Sequence, residues 1–195
     1  MKQLSEMSHE ELWTLFPIVI QGYNPEWAKR YLAEKALIER TIDSDKIFRV
    51  SHIGSTAVPG LDAKPTIDIL LEIYRQTKDE EVIDKMKKAN YIYTEQKENP
   101  APHMMFLKGY TTEGFKGQAF HVHVRYPGDW DEFYFRDYLV NHPHIAQEYG
   151  VLKLKLKETY EFNRDGYTEA KTDFIRNIMK RARLELVQKY QPKDL

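Results

Sequence analysis

The 195-residue sequence contains no cysteine, which excludes disulfide bonds and thiolate metal sites and fits a reducing compartment. It also lacks any run close to the ~20 consecutive apolar residues that a membrane-spanning helix needs. The first residues, Met1 to Glu11, are polar and show no apolar signal segment. We therefore expect a cytoplasmic protein that has no membrane partner.

An excess of charge of one sign is also missing, since the formal net charge is −1. A net charge this close to zero disfavours non-specific binding to duplex nucleic acid and leaves a local basic patch as the alternative. Hydrophobic residues make up 42% and charged residues 30% of the chain, as is typical of globular proteins. We expect one domain over residues 1–195, with an α/β core in 1–128 and a helical part in 129–195.

Alternating and continuous apolar runs predict a sheet in the first two thirds of the chain. Strands are predicted at about 47–53, 66–74, 91–94, 104–108 and 119–126. Gly109 and the glycine-containing stretch 114–117 are expected to form a hairpin turn between the last two strands.

Helical spacing predicts helices on both sides of these strands. Early helices are expected to start after Ser8 and after Asn24, and another helix is expected over 79–88. Beyond Gly128 helical spacing dominates. Strands first and helices later indicate an α+β fold, a mixed sheet with flanking helices and a helical carboxy-terminal part.

Residues 52–73 join a strand end, a turn of small residues and a second apolar strand. In the turn, Gly54, Ser55 and Thr56 allow a backbone to approach a ligand closely, and successive amides there suit phosphate oxygens. Such turns are common without function. Their position between two strands, with Lys64 following, favours a phosphate-binding turn.

Asp68 interrupts the apolar second strand. An ionised carboxylate in such surroundings is costly unless it is paired, hydrogen-bonded or bound to metal. We interpret Asp68 as a ligand of Mg²⁺ or Mn²⁺, and the alternative is a salt bridge with Lys64 or Arg125. Glu72 lies roughly 13 Å further along the strand and is expected at a solvent-facing end.

The alternation over residues 120–125 places His121, His123 and Arg125 on one face of the last strand. Two imidazoles spaced in this way can bind one metal ion, including Zn²⁺, and the alternative is a polar face that only forms hydrogen bonds. If this strand neighbours the second strand, the same face also gathers Asp68.

Lys171 precedes Phe174 by three residues, on the side of a helix that is expected to face the core. It either extends to the edge of the core or reaches an anionic ligand between the sheet and the helices. Arg136 and Lys153 could reach the same ligand, and a local pair with Asp137 or Glu132 is the alternative for Arg136.

Several separated motifs together resemble the GrpB family, a group within the nucleotidyltransferase-fold superfamily. The matching stretches are 23–27, 54–72, 120–124, 135–139, 142–143, 148–149, 152–153 and 167–171. The superfamily pattern is a Gly-Ser turn, two acids separated by one residue, and a third acid on a neighbouring strand. Gly54-Ser55 and Asp68 match it, but position 70 is leucine and histidines stand on the third strand.

The resemblance implies metal-dependent transfer of a nucleotidyl group from a nucleoside triphosphate to an acceptor that the sequence does not name. Asp68 and His123 are expected to be catalytic, with Asp68, His121 and His123 as metal ligands. The expected nucleotide- or phosphate-binding residues are Gly54, Ser55, Thr56, Lys64, Arg125 and Lys171. Leu70 favours the alternative of a noncatalytic nucleotide- or anion-binding module, and the histidine pair alone allows a metal hydrolase.

Overall fold

A computed structural model describes residues 2–192, and within them the strands form a five-stranded mixed sheet in the order β1-β2-β5-β4-β3. The strands are β1 (Ile47–Ile53), β2 (Thr66–Ile73), β3 (Ile92–Glu95), β4 (Met104–Thr111) and β5 (Gly114–Arg125). β2 and β5 are parallel, whereas the other neighbouring pairs are antiparallel. The predicted α+β fold with a mixed sheet is confirmed.

Helices pack on both faces of this sheet. They are α1 (His9–Leu15), α2 (Glu26–Ile42), α3 (Asp79–Lys88), α4 (Asp131–Asn141), α5 (Pro143–Tyr160), α6 (Arg164–Glu169) and α7 (Thr172–Glu185). α2 and α3 build one core with the first face, and α4, α5 and α7 build a second core with the other. The predicted helix starts are confirmed, because the Ser8 hydroxyl caps α1 and Pro25 directly precedes α2.

The alternation along β2 decides what each face receives. Ile67, Ile69 and Leu71 join the core under α2 and α3. Asp68, Leu70 and Glu72 therefore point to the face that carries the carboxy-terminal helices. Leu70 is fully buried there, among residues of α4 and α5.

The predicted hairpin between the last two strands is wrong in its extent. β4 continues to Thr111 and β5 already begins at Gly114, so Gly109, Gly114 and Gly117 lie within strands. Gly109 has φ +85°, and a Cβ atom there would lie 2.6 Å from the carbonyl oxygen of Gln118. The strands approach each other closely at an irregularity that a glycine accommodates.

This irregularity changes the direction of Tyr110. Leu107 pairs with His121 and shares its face, so strict alternation would send Tyr110 to the opposite face, together with Lys108. The register shifts between Lys108 and Tyr110, and the Tyr110 hydroxyl instead lies 2.6 Å from His121 Nε2.

Among residues 2–192, no helix combines the length and the apolar character that crossing a bilayer requires. The predicted domain over 1–195 includes residues 1 and 193–195, which lie outside the described residues. Its extent, its division at residue 128 and the cytoplasmic location stay predictions.

Candidate functional site

Asp68, His121 and His123 meet on one face of the sheet because β2 runs parallel to β5 with Asp68 paired to His121. Asp68 Oδ1 lies 3.4 Å from His121 Nδ1 and 3.6 Å from His123 Nε2. Burial acts to raise the pKa of Asp68, but the contacts with His121 and His123 outweigh it and hold the pKa well below its ordinary value. Asp68 is therefore an ionised carboxylate between two imidazoles.

These three side chains fit one metal ion. Their donor atoms all lie within 4.8 Å of one another, and ligands bound at about 2.0–2.2 Å from a transition metal stand roughly 3–3.5 Å apart. His121 Nε2 is engaged by the Tyr110 hydroxyl, which leaves Nδ1 directed at Asp68. Such an outer hydrogen bond fixes the ring of a metal-binding histidine.

Gly54 packs directly against this carboxylate. It has φ +69°, and a Cβ atom at this position would lie 2.5 Å from Asp68 Oδ2. A side chain here would meet both backbone strain and the carboxylate. The glycine is required by the close contact of the turn with Asp68.

We expect Gly54→Ala to lower the free energy of unfolding by about 2–3 kcal/mol, since it combines a positive φ with a steric conflict. Gly60→Ala is the matched control, because Gly60 also has a positive φ but has open space at the Cβ position. Its expected cost is about 1 kcal/mol. Denaturant unfolding of both variants measures the difference, and equal losses would show that Asp68 does not constrain position 54.

A polar cavity of ≈ 170 Å³ lies in front of Asp68, between β2, β5 and the carboxy-terminal helices. We call it the cationic cavity, and its lining is Ser55, Lys64, Thr66, Asp68, His121, Tyr149, Lys153, Arg164, Tyr167, Thr168 and Lys171. Four of the lining residues are lysine or arginine, and Asp68 is the only lining residue with a carboxylate. The lining suits an anionic ligand.

Burial lowers the pKa of all three lysines that line the cationic cavity. Burial, followed by the charges of Arg164 and Lys171, lowers the pKa of Lys64 to about 7. Burial and then Lys171 lower the pKa of Lys153 to about 7. Burial lowers the pKa of Lys171 to about 8, although Asp68 opposes this shift. An anion in the cavity would remove much of this electrostatic cost.

Lys153 connects α5 to the turn that follows β1. Its ammonium group donates a 3.0 Å hydrogen bond to Ser55 Oγ and another to the carbonyl oxygen of Asp62. Lys171, the residue before α7, lies over the Tyr167 ring at 4.3 Å and lines the same cavity as Ser55. The predicted cleft between the sheet and the carboxy-terminal helices thus contains Ser55 and both lysines.

Some predicted site residues lie elsewhere. Thr56 is buried, where its hydroxyl contacts His52 Nε2 at 3.0 Å and the Thr66 carbonyl oxygen at 3.3 Å. Arg125 is buried beyond the cavity, donates to the Val124 carbonyl oxygen and lies 3.9 Å from Glu132. The structure does not bring Thr56 or Arg125 to the lining of the cationic cavity.

The expectation for Glu72 is wrong. Its side chain is completely buried, and Arg49 Nη2 donates to its Oε1 at 3.0 Å while Arg49 Nε donates to Oε2. The Gly128 amide donates to the same carboxylate at 3.0 Å. Glu72 is a structural ion-pair partner. The alternative for Arg136 is confirmed, since it pairs with Asp137 and also donates to the His52 carbonyl oxygen.

Other cavity residues are missing from the prediction. Arg164 is the first residue of α6, in a stretch where the sequence predicts only a break between helices. Tyr149 follows the apolar spacing of α5. No signal in the sequence marks Arg164, whereas Tyr149 lies in the stretch 148–149 that matches the family. Tyr110 does not line the cavity but contacts His121, and it follows Gly109, where a glycine within a strand indicates an irregularity.

Comparison with known proteins gives consistent matches. The GrpB family profile, described as "GrpB protein", matches residues 17–181. A UPF0157 protein of Pseudomonas aeruginosa is 37% identical over 161 residues, which cover 82% of this chain and 65% of that protein. The chain thus spans slightly less than two thirds of this relative.

Two further matches cover nearly whole proteins. The glutamate-rich protein GrpB of Alkalihalophilus pseudofirmus is 32% identical over 167 residues, covering 83% of this chain and 94% of the relative. A crystal structure of the conserved protein GrpB from Enterococcus faecalis superimposes with a TM-score of 0.73 at 28% identity. It covers 86% of this chain and 98% of the solved one.

Proposed function

The chain belongs to the GrpB family, and we propose that its cationic cavity binds the phosphate groups of a nucleotide beside one metal ion. The supporting observation is the composition of the lining, where four cations surround a single ionised carboxylate. Phosphate oxygens would match the lysine and arginine charges. The carboxylate would be left to the metal.

Asp68 and His121 would hold this metal, and His123 would either complete the ligands or accept a proton. Two imidazoles and one carboxylate suit Zn²⁺ or Mn²⁺ better than Mg²⁺, because Mg²⁺ prefers oxygen ligands. When bound, the ion would supply a positive charge that polarises a phosphoryl oxygen. Of the two metals expected from the sequence, we therefore propose Mn²⁺ rather than Mg²⁺, and Zn²⁺ is the alternative.

The proposed reaction is nucleotidyl transfer from a nucleoside triphosphate. An acceptor hydroxyl would form a bond to the α-phosphorus, the bond from that phosphorus to the bridging oxygen would break, and pyrophosphate would leave. Lys64, Lys153 and Lys171 would neutralise the phosphate charges. The hydroxyl proton would pass to His123, whose side chain is 23% exposed against 9% for His121. With His123 as the proton acceptor, the protein ligands of the metal would be Asp68 and His121.

A second candidate function is a noncatalytic nucleotide- or anion-binding module. Leu70 favours it, since this side chain stands where the superfamily has its second acid and is completely buried in the core under the carboxy-terminal helices. Transfer that depends on two metal ions needs carboxylates that this lining does not offer.

Incubation with each nucleoside triphosphate labelled at the α-phosphate, in Mn²⁺ or Zn²⁺, separates the two candidates. The transferase predicts pyrophosphate release together with transfer of the label to an acceptor supplied in a metabolite extract. The binding module predicts a rise in melting temperature with the nucleotide and no release. Absence of both responses with every nucleotide would contradict both functions.

Anion binding is expected to weaken as the pH rises from 6 to 9. Lys64 and Lys153 lose their protons near pH 7 and Lys171 near pH 8. Asp68 stays ionised, because its pKa is lowered from a value that already lies below this range. Each lysine that loses its charge is expected to weaken binding roughly tenfold.

Sulfate is the suitable probe, since its charge is constant over this range. Titration calorimetry at several pH values measures the affinity of the wild type and of a Lys153→Met/Lys171→Met variant. The variant should bind weakly and show a flatter profile. An affinity of the wild type that does not change with pH would contradict the role of these lysines.

A further inference from the structure

A second cavity, of ≈ 270 Å³, lies between the amino-terminal helix α1 and the sheet. We call it the aromatic cavity, because the aromatic residues Trp13, Phe16 and Tyr110 line it. Arg164 is the one charged residue that lines it within residues 2–192. Such a lining suits a flat, largely apolar group.

The aromatic cavity opens on the same face of the sheet as Asp68 and the histidines. Leu107, in its floor, pairs with His121, and Ile92 pairs with Leu107. Directly paired residues point to the same face. The face therefore carries the carboxy-terminal helices over β1 and β2, α1 over β3 and β4, and the metal-binding group between them.

Two residues connect the aromatic cavity to the cationic cavity. Arg164 lines both of them. Tyr110 lines the aromatic cavity, and its hydroxyl lies 2.6 Å from Nε2 of His121, which lines the cationic cavity. Together the two spaces exceed the ~300 Å³ at which small-molecule sites begin. The two cavities are therefore adjacent, and a ligand that occupied both would pass beside Arg164.

α1 covers this space without closing it. None of the residues of α1 is buried, although Leu12 and Trp13 face the aromatic cavity. Trp13 is only partly buried and meets the His9 ring at 5.7 Å. A helix that only packed on the sheet would bury its apolar side chains against it. The unfilled aromatic surface is what a bound ring would cover.

We propose that the aromatic cavity holds the planar base of the nucleotide whose phosphates occupy the cationic cavity. This inference rests on the proposed function and extends it. It assigns to the aromatic cavity the recognition of the base, which a nucleoside triphosphate has and an inorganic polyphosphate lacks. Arg164 lies where the sugar and the phosphates would meet the base. Stacking on Trp13 would supply base affinity.

The test compares ligands with and without a base. Titration calorimetry in Mn²⁺ measures the affinities of ATP, GTP, CTP, UTP and inorganic triphosphate for the wild type and for Trp13→Ala. We expect Trp13→Ala to weaken the best-binding nucleotide roughly 5- to 100-fold and to leave inorganic triphosphate within about twofold. Because α1 buries none of its residues, the variant should unfold at nearly the wild-type denaturant midpoint.

Two control variants accompany it. Trp13→Phe keeps a ring and should retain most of the nucleotide affinity, and Leu184→Ala removes an apolar side chain that is 81% exposed on α7 and should change nothing. Equal weakening of nucleotide and triphosphate by Trp13→Ala, or no weakening of either, would overturn the base assignment. If neither nucleotides nor triphosphate bind the wild type, the proposed function itself fails, and the inference fails with it.

Discussion

Asp68→Asn is expected to abolish metal-dependent turnover while the protein stays folded. The amide keeps the shape of the carboxylate but removes the charge that attracts the cation, and it leaves only imidazole nitrogens in the group. Loss of an outer-shell partner of a metal site already costs 10–100-fold in metal affinity, so loss of a direct ligand should cost more than roughly 100-fold. Titration with Mn²⁺ or Zn²⁺ and the pyrophosphate assay measure the two effects.

Asp165→Asn is the matched control, since Asp165 is exposed on α6 and does not line the cationic cavity. It should leave metal affinity and turnover unchanged. In a binding module, Asp68→Asn should instead weaken metal-linked nucleotide binding, with no turnover in either protein. A sharp fall in melting temperature, with an unchanged ligand response of the folded fraction, would make Asp68 a structural ion-pair partner and contradict both functions.

Arg49→Met is expected to lower the free energy of unfolding by about 3–5 kcal/mol, the largest stability effect that we predict. Glu72 is completely buried, and Arg49 is its charged partner. Without Arg49 the carboxylate keeps only the Gly128 amide, which leaves a buried charge uncompensated. Arg49 also lies 4.3 Å over the Phe133 ring, a contact that methionine retains in part.

The double variant Arg49→Met/Glu72→Gln should recover most of this loss, because the buried charge is then absent. Lys29→Ala provides a surface comparison, since its pair with Glu26 is exposed on both sides, and its effect should stay within ~0.5 kcal/mol. Denaturant unfolding measures all three variants. A loss below ~1 kcal/mol for Arg49→Met would show that the ion pair does not hold β1 to β2.

The sequence predicts the fold well where the residue pattern is strong. β1 and α3 have the predicted bounds, and β2 differs by one residue, because apolar strands bounded by turns leave little choice of structure. The shared face of Asp68, His121 and His123 follows from two alternations once the strands are neighbours. Alternation alone does not predict that β2 and β5 are neighbouring strands.

Other parts of the site depend on tertiary packing. Thr56 lies in a short 3-10 helix, where no two-residue period fixes the direction of a side chain. Arg125 stands four residues beyond His121, roughly 13 Å along the strand, and is too far away to share the cavity. Arg164 and Tyr149 reach the site because α5 and α6 pack over the sheet.

The partner of Glu72 depends on strand register. Arg49 stands opposite Glu72 in the antiparallel pairing of β1 with β2. A turn of irregular shape separates these strands, so the register cannot be read from its length. The sequence alone therefore does not distinguish a buried Glu72 from an exposed one.

Crystals grown with Mn²⁺ and a non-hydrolysable nucleoside triphosphate test the central claim most directly, through anomalous diffraction at the manganese edge. We predict one strong peak within bonding distance of Asp68 Oδ1 and at least one of the two histidine nitrogens that face it. We also predict phosphate density within hydrogen-bond reach of Lys153 and Lys171. A nucleotide bound elsewhere on the protein, or bound with no metal at Asp68, would contradict the account.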